Sequence, residues 1–425
     1  MFPTHRVLRR AAFALAAAAL IAGAVVGLTP KSPTVASASS AGWVETWAAA
    51  MTRPTSMVAT QADRGFRDQT IRDVISTSVG GQEVRIRLSN LYGDRPLRIG
   101  AATVGAVASD GNLSGSPYSV SFNGRPSVVV PVGQEVVSDA VAMPVSALED
   151  LAVSVYVPQE TGPATFHFFA QQDNYIASGN HVSDTSDHAY ATRDTSWYFL
   201  DGVEVLGADK KAGTVVAFGD SITDGIGSTT GANDRWPDFL ARRLDARYGA
   251  EAPGVLDMGI GGNRVLNPSA CYGASGVARF NQDVLDQPGV RAVIVLEGIN
   301  DIGYSLAADV GCEAPNANVS AAQIIGGYKK MIAMAHSHGI KIIGATLTPY
   351  QSSWFWTRDG QAKWAALNRW IRTSHAFDGV ADYDRAVADP LLPNNMNPVD
   401  TSDGLHGSDA GYQAMANSVN LSLLR

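Results

Sequence analysis

Cysteine is scarce in this chain: Cys271 and Cys312 are the only two in 425 residues. No CxxC pair and no Cys/His spacing of a zinc site can be built from them, which removes thiolate metal centres. Also missing are a phosphate-cradling P-loop and a dinucleotide fingerprint; the glycines of Gly259 to Gly262 follow an apolar run but lack the full spacing and a downstream acid. His336 and His338 lie two apart on a helix end, point to different faces and make poor co-ligands. No cofactor and no metal is expected. Positive charge is short as well. The formal charge is −8, and the first 38 residues carry Arg6, Arg9, Arg10 and Lys31 with no acid, leaving −12 for the rest. An acidic body is a poor partner for nucleic acid or an anionic membrane.

Against these absences stands an N-terminus with a basic start, an apolar Ala11 to Leu28 and then Ala36-Ser37-Ala38, a small-x-small cleavage pattern. Residues 1–38 are read as an export signal, the mature protein being secreted with no stable membrane partner; the alternative is an uncleaved anchor, since about 18 apolar residues is the lower edge of a spanning length. In an oxidising compartment disulfides persist, so Cys271 and Cys312 are expected to be bridged, with two buried free thiols as the other reading. A content of 45% hydrophobic and 17% charged residues is that of a packed globular chain rather than a disordered one.

The remainder changes character once. From Trp43 to Leu206 the pattern has period two: Val84, Ile86 and Leu88 alternate with Arg85 and Arg87, Val153, Val155 and Val157 repeat the spacing, and Gly80-Gly81 sits where a hairpin turn belongs. Residues 42–206 are therefore read as an all-β sandwich or jelly roll. From Thr214 onward apolar runs at Thr214 to Phe218, Val255 to Ile260, Ala292 to Leu296, Lys341 to Leu347 and Gly379 to Tyr383 are separated by helical stretches near Trp236 to Tyr248, Ala321 to His338 and Ala362 to Thr373. This alternation predicts a parallel sheet covered on both faces, a three-layer α/β/α domain over residues 212–425. Trp364, Leu367, Trp370 and Ile371 form the core-facing stripe of one such helix.

The chemistry-bearing residues fall just past the C-terminal ends of the predicted strands, where such a sheet places its sites. Gly219-Asp220-Ser221 follows the first strand, Gly261-Gly262-Asn263 the second, and Gly298-Ile299-Asn300-Asp301 the third; Asp403 and His406 lie in a loop before the last helix. A serine hydroxyl is inert until a base takes its proton, and Asp403-Gly404-Leu405-His406 offers a base with an orienting acid three residues earlier.

These four blocks, in this order, resemble those of the SGNH hydrolases, also called the GDSL esterase/lipase family, over about Thr214 to Arg425. The resemblance implies a flavodoxin-like catalytic domain in which Ser221 is the nucleophile, His406 the general base and Asp403 its orienting acid. It also implies an oxyanion hole of the Ser221 and Gly262 backbone N–H groups and the Asn300 amide. Asp301 and Arg264 belong to the same blocks, with structural hydrogen bonding as their expected role. Many members follow the catalytic histidine with proline; here Gly407-Ser408-Asp409 follows, with Ser408 or Asp409 a candidate helix cap. A Cys271–Cys312 bridge would tie together the loops after Gly262 and after Asn300. Trp354 and Trp356 sit in a loop after a strand end on the active-site side, where substrate stacking and local packing are both open.

The expected activity is an extracellular serine esterase acting on small-molecule or polymer-linked esters, with short acyl groups on carbohydrate favoured and polysaccharide a possible partner. The alternatives are a lipase or phospholipase for longer chains, an acyltransferase with an alcohol acceptor, and a glycan-binding protein with little or no activity.

Overall fold

The computed structural model describes residues 42–54, 60–207 and 211–425, so the expected signal segment 1–38 lies outside the described residues. Val84, Ile86 and Leu88 are wholly buried on the strand Glu83–Ser89. That strand belongs to a four-stranded antiparallel sheet in the order Trp43–Ala48, Leu200–Leu206, Glu83–Ser89, Glu135–Val137. A second antiparallel sheet is built around Gln69–Ser76, Asp150–Val157 and Ala101–Ser109, flanked by Asn174–Ser178. The two sheets share one apolar core, in which Ile71 and Val155 of the second join Ile86 and Val203 of the first.

One sequence expectation for this half needs correction. Gly80-Gly81 is not a hairpin turn, because the strands on either side of it belong to different sheets. Glycine serves there for close approach: a Cβ on Gly81 would come within 2.6 Å of the Leu206 carbonyl oxygen. Arg85 and Arg87, which alternate with the apolar residues, do not face open solvent: Arg85 is buried and the Arg87 side chain is 11% exposed. Arg85 pairs with Glu204 at 2.6 Å, while Arg87 pairs with Glu45 at 2.9 Å and Asp201 at 3.0 Å and reaches Gln287 of the C-terminal half at 2.9 Å. The outer face of this sheet is thus covered rather than solvated. A buried guanidinium persists only when paired, which accounts for the three acids around the two arginines.

The C-terminal half has the anticipated parallel sheet. Its strands run Gly254–Gly259, Thr214–Gly219, Val290–Leu296, Lys341–Ala345, Gly379–Ala381, so the sequence-first strand sits second in spatial order. Helices Trp236–Tyr248 and Asp409–Ser418 pack together in one layer, and Ala321–Ser337 with Arg358–Thr373 in the other. The start of Ala321–Ser337 is fixed by a reciprocal Ser320/Gln323 cap, and that of Asp409–Ser418 by Ser408. Trp364, Leu367 and Ile371 face the core as the stripe predicts, with Trp370 stacked on Tyr328.

The edge strand Gly254–Gly259 is not left open. Ala49, just after Trp43–Ala48, bridges Asp257 in parallel, and the Val255 N–H donates to Ser78 Oγ at 2.9 Å. An uncovered edge invites strand pairing with other chains; here the N-terminal half closes it. From Gly42 on, the described residues pack as one compact body. Among them no helix is long and apolar enough to cross a membrane.

Candidate active site

In a doubly wound sheet, loops at the strand C-termini diverge where the strand order reverses and leave a crevice there. Strand Thr214–Gly219 lies at that reversal. It ends in Asp220, whose carboxylate accepts the Ile222 N–H at 3.1 Å and caps the short helix Ser221–Asp224. Ser221 is its first residue, so its N–H has no intrahelical acceptor.

The loop before the last helix brings the other partners. Ser221 Oγ lies 2.9 Å from His406 Nε2, and His406 Nδ1 lies 2.7 Å from Asp403 Oδ2. The second Asp403 oxygen accepts the N–H groups of Leu405 and His406, both at 2.8 Å, so one carboxylate fixes the loop and the ring together. Partial burial works to raise the Asp403 carboxyl, but hydrogen bonds from His406 and Leu405 hold it well below the usual carboxylate range. With Nδ1 facing a carboxylate, that nitrogen carries the proton and Nε2 is left to accept from the serine. The missing proline after His406 is made good by Thr401, whose side chain donates to the His406 carbonyl at 2.6 Å while Thr401 bridges Gly407.

Gly262 sits at φ +76°, and a Cβ there would lie 2.3 Å from the Tyr272 ring, so conformation and space both require glycine. Asn300, on the short helix after Val290–Leu296, is buried and donates one amide hydrogen to the Asn263 carbonyl at 2.9 Å, which orients its NH2 group. Asp301 accepts the Val265 and Leu266 N–H groups at 2.7 and 3.1 Å; burial pushes its carboxyl up to about 6 against those bonds. Arg264 donates to the Pro315 and Glu313 carbonyls and to Asn316, holding the segment that carries Cys312. Cys271 and Cys312 are bridged, their Cα atoms 5.2 Å apart. Ser221, His406 and Asp403 are thus joined in series, while Gly262 and Asn300 lie on the loops that follow the two strands flanking Thr214–Gly219, and the disulfide ties the segments after those loops.

Trp354 and Trp356 part company. Trp356 is half-buried, its indole N–H bonded to Gln361 at 3.0 Å, whereas Trp354 is 73% exposed. Trp354 ends an aromatic row: its ring centroid is 4.6 Å from Phe355, Phe355 is 5.1 Å from Tyr304, and Tyr304 is 5.5 Å from Tyr272. Since Tyr272 packs on Gly262, the row links the crevice to the surface.

Two features escaped the sequence reading. Arg279 is buried and donates to the carbonyls of Gly219 and Met258, to Asn263 Oδ1 and to Asp283, tying together the segments that carry Ser221 and Gly262. The visible signal was an arginine and an acid four residues apart, Arg279 and Asp283, amid apolar Val277, Phe280 and Val284. The second is His167 of the N-terminal half, 3.0 Å from Asp224 at the end of the nucleophile helix. Burial disfavours charge on His167, but the Asp224 carboxylate outweighs it and raises its pKa above the ordinary imidazole value. Nothing local in sequence joins these two residues. His336 pairs with Asp378 at the surface, and among the described residues no group of three or more His, Cys, Asp or Glu side chains is placed to hold a metal ion.

A doubly wound α/β/α domain with a serine, histidine and aspartate in hydrogen-bonded series defines a class, the α/β serine hydrolases. Residues 217–414 match the GDSL-like Lipase/Acylhydrolase family model, and this part of the chain is a GDSL-like hydrolase domain, which makes the protein a carboxylic ester hydrolase. Similar solved structures include a GDSL-like lipase from Bacteroides thetaiotaomicron, 21% identical over 52% of this chain and 91% of that one with a TM-score of 0.39. Another is a variant of an acetyl xylan esterase from Geobacillus stearothermophilus, 20% identical over 51% and 95% with a TM-score of 0.40. No curated protein matches.

Proposed function

We propose that this protein is an exported serine esterase that removes short acyl groups from carbohydrate. The observation that carries the reading is the unbroken series Ser221 Oγ, His406 Nε2, His406 Nδ1, Asp403 Oδ2 at 2.9 and 2.7 Å. Ser221 Oγ attacks the ester carbonyl carbon as His406 Nε2 takes its proton. The oxyanion is met by the Ser221 and Gly262 N–H groups and the Asn300 amide, each donor being worth about 3 kcal/mol of barrier. Collapse expels the alcohol, which leaves with the proton from His406, and an acyl-Ser221 remains. Water then attacks the acyl carbon, giving its proton to His406, and the carboxylic acid departs as His406 returns a proton to Ser221.

Carbohydrate as the leaving alcohol is supported by exposed Trp354 at the end of the aromatic row, since an indole face stacks on apolar sugar faces. Export is supported by the bridged cysteines, which suit an oxidising compartment. A lipase reading draws on a different observation: Leu391, Leu392 and Val399 are exposed on the segment leading to Asp403. The two separate by substrate. Release of acetate from an acetylated polysaccharide, lowered in Trp354→Ala but with p-nitrophenyl acetate turnover kept, supports the carbohydrate esterase; faster turnover of p-nitrophenyl palmitate than of the acetate overturns it in favour of the lipase.

A further inference from the structure

His167 lies in the N-terminal half and is 3% exposed, yet it touches none of the reacting groups. Both its ring nitrogens face acceptors: Nδ1 is 2.8 Å from the Ala50 carbonyl oxygen and Nε2 is 3.0 Å from Asp224 Oδ1. The other Asp224 oxygen accepts the Gly261 N–H at 2.9 Å. Asp224 closes the helix that Ser221 opens, and Gly261 precedes Gly262. One buried carboxylate therefore meets a histidine of the N-terminal half, ends the nucleophile helix and grips the glycine loop.

The surroundings keep this arrangement in place. Trp197 lies against the His167 ring with centroids 5.4 Å apart, and Arg235 lies over the same indole. Arg235 also donates to the Ala170 carbonyl at 3.3 Å, and the Gly231 N–H donates to the Gln171 carbonyl at 3.0 Å, so the segment after His167 is held on the C-terminal half at two further points. Phe169, between His167 and these two points, has φ +63°, a conformation that costs a bulky side chain energy and persists only where the surroundings impose it. A Cβ on Gly261 would come within 3.1 Å of that phenyl ring.

We infer that His167 is a positioning residue for ester hydrolysis: through Asp224 it fixes the Gly261-Gly262 loop against the Ser221 helix, so that the N-terminal half completes the oxyanion site. The inference rests on the esterase reading above. Without His167, the carboxylate is free to turn and the Gly262 N–H loses its aim at the oxyanion, a defect felt in the transition state more than in substrate binding.

The test compares the full chain with His167→Leu, His167→Gln and Asp224→Asn, using p-nitrophenyl acetate turnover, affinity for an alkyl boronic acid that forms a tetrahedral adduct on a reactive serine, and thermal unfolding. His167→Leu leaves a buried carboxylate unpaired and risks the fold; the Gln and Asn variants, which keep polar partners, then carry the measurement. Expected for the folded variants is a kcat about tenfold to a hundredfold lower, a KM within about twofold of the parent, boronate affinity falling in step with kcat, and a milder loss in His167→Gln than in His167→Leu. Gln287→Ala, which cuts the Arg87 contact between the halves away from the crevice, is expected to keep the parental kcat. Folded His167 and Asp224 variants with parental kcat and boronate affinity overturn the inference, as does an equal loss in Gln287→Ala. Failure of the esterase reading shows differently, as a parent chain that neither turns over esters nor binds the boronate.

Discussion

In the proposed reaction one oxygen, Ser221 Oγ, carries the chemistry, and its partners are close enough for single-atom changes to tell. Ser221→Ala is expected to lower kcat on p-nitrophenyl acetate by about 10⁴-fold or more, with folding unchanged by circular dichroism. Asp403→Asn removes the charge that sets the His406 tautomer, and about 10³ to 10⁴-fold is expected there. Gly262→Ala has no room beside Tyr272 and no comfortable φ; loss of activity together with a lower melting temperature is expected, whereas Asn300→Ala should cost about 3 kcal/mol of barrier with less effect on melting. The series Ser221, His406 and Asp403 was legible in sequence because Ser221 sits in a short block after a predictable strand and Asp403 and His406 in a short block before a predictable helix; Gly262 and Asn300 stood out in the same way, each in a block after a strand. His167, Asp224 and Arg279 were not, since their meaning comes from carbonyls and carboxylates that only the fold brings near.

The elements themselves were legible to the extent that one local period governed them. The five parallel strands are buried on both faces and read as apolar runs; the helices read from their spacing, and the last one also from its Ser408 cap. The pairing of Arg85 and Arg87 with Glu204, Glu45 and Asp201 was not legible, because period-two alternation shows which residues share a face, not what covers it. Gly80-Gly81 misled because a glycine pair marks close backbone approach as well as a turn. The loops behind Gly262 and Asn300 form the element on which a prediction falls: their bridge closes a 41-residue separation. Cys271→Ala/Cys312→Ala is expected to lose about 4 kcal/mol by the chain-entropy relation, measured by urea unfolding. A lower kcat should accompany that loss if the bridge also holds the Gly262 loop.

Across the whole molecule, the N-terminal half covers the sheet edge at Asp257, buries its own charged face and sends His167 toward the crevice. Residues 212–425 expressed alone are therefore expected to aggregate or to be inactive, and co-expression with residues 42–206 to restore turnover. Burial also shapes the response to pH. It raises Asp220 and Asp257 to about 7 and Asp301 to about 6, so between pH 4 and 7 the folded chain binds more protons than the unfolded one at these sites. By linkage their contribution makes stability fall as pH rises through that range. His167, raised by Asp224, acts in the same direction: its contribution is present below the ordinary imidazole value and lost as pH climbs through its folded one. Asp403 acts oppositely and only in acid, its contribution being present above about pH 4 and lost below it. The urea midpoint is thus expected to be higher at pH 5.5 than at pH 8, and Asp220→Asn to flatten that slope.

The central claim is that Ser221 carries the acyl group. It is tested by mixing the protein with p-nitrophenyl acetate, quenching in acid within a turnover and locating added acetyl mass by peptide mass spectrometry. An acetyl group on the peptide containing Ser221, absent from Ser221→Ala, is the expected result. A Ser221→Ala chain that keeps parental turnover, or an acetyl-enzyme that forms only at another residue, contradicts the account.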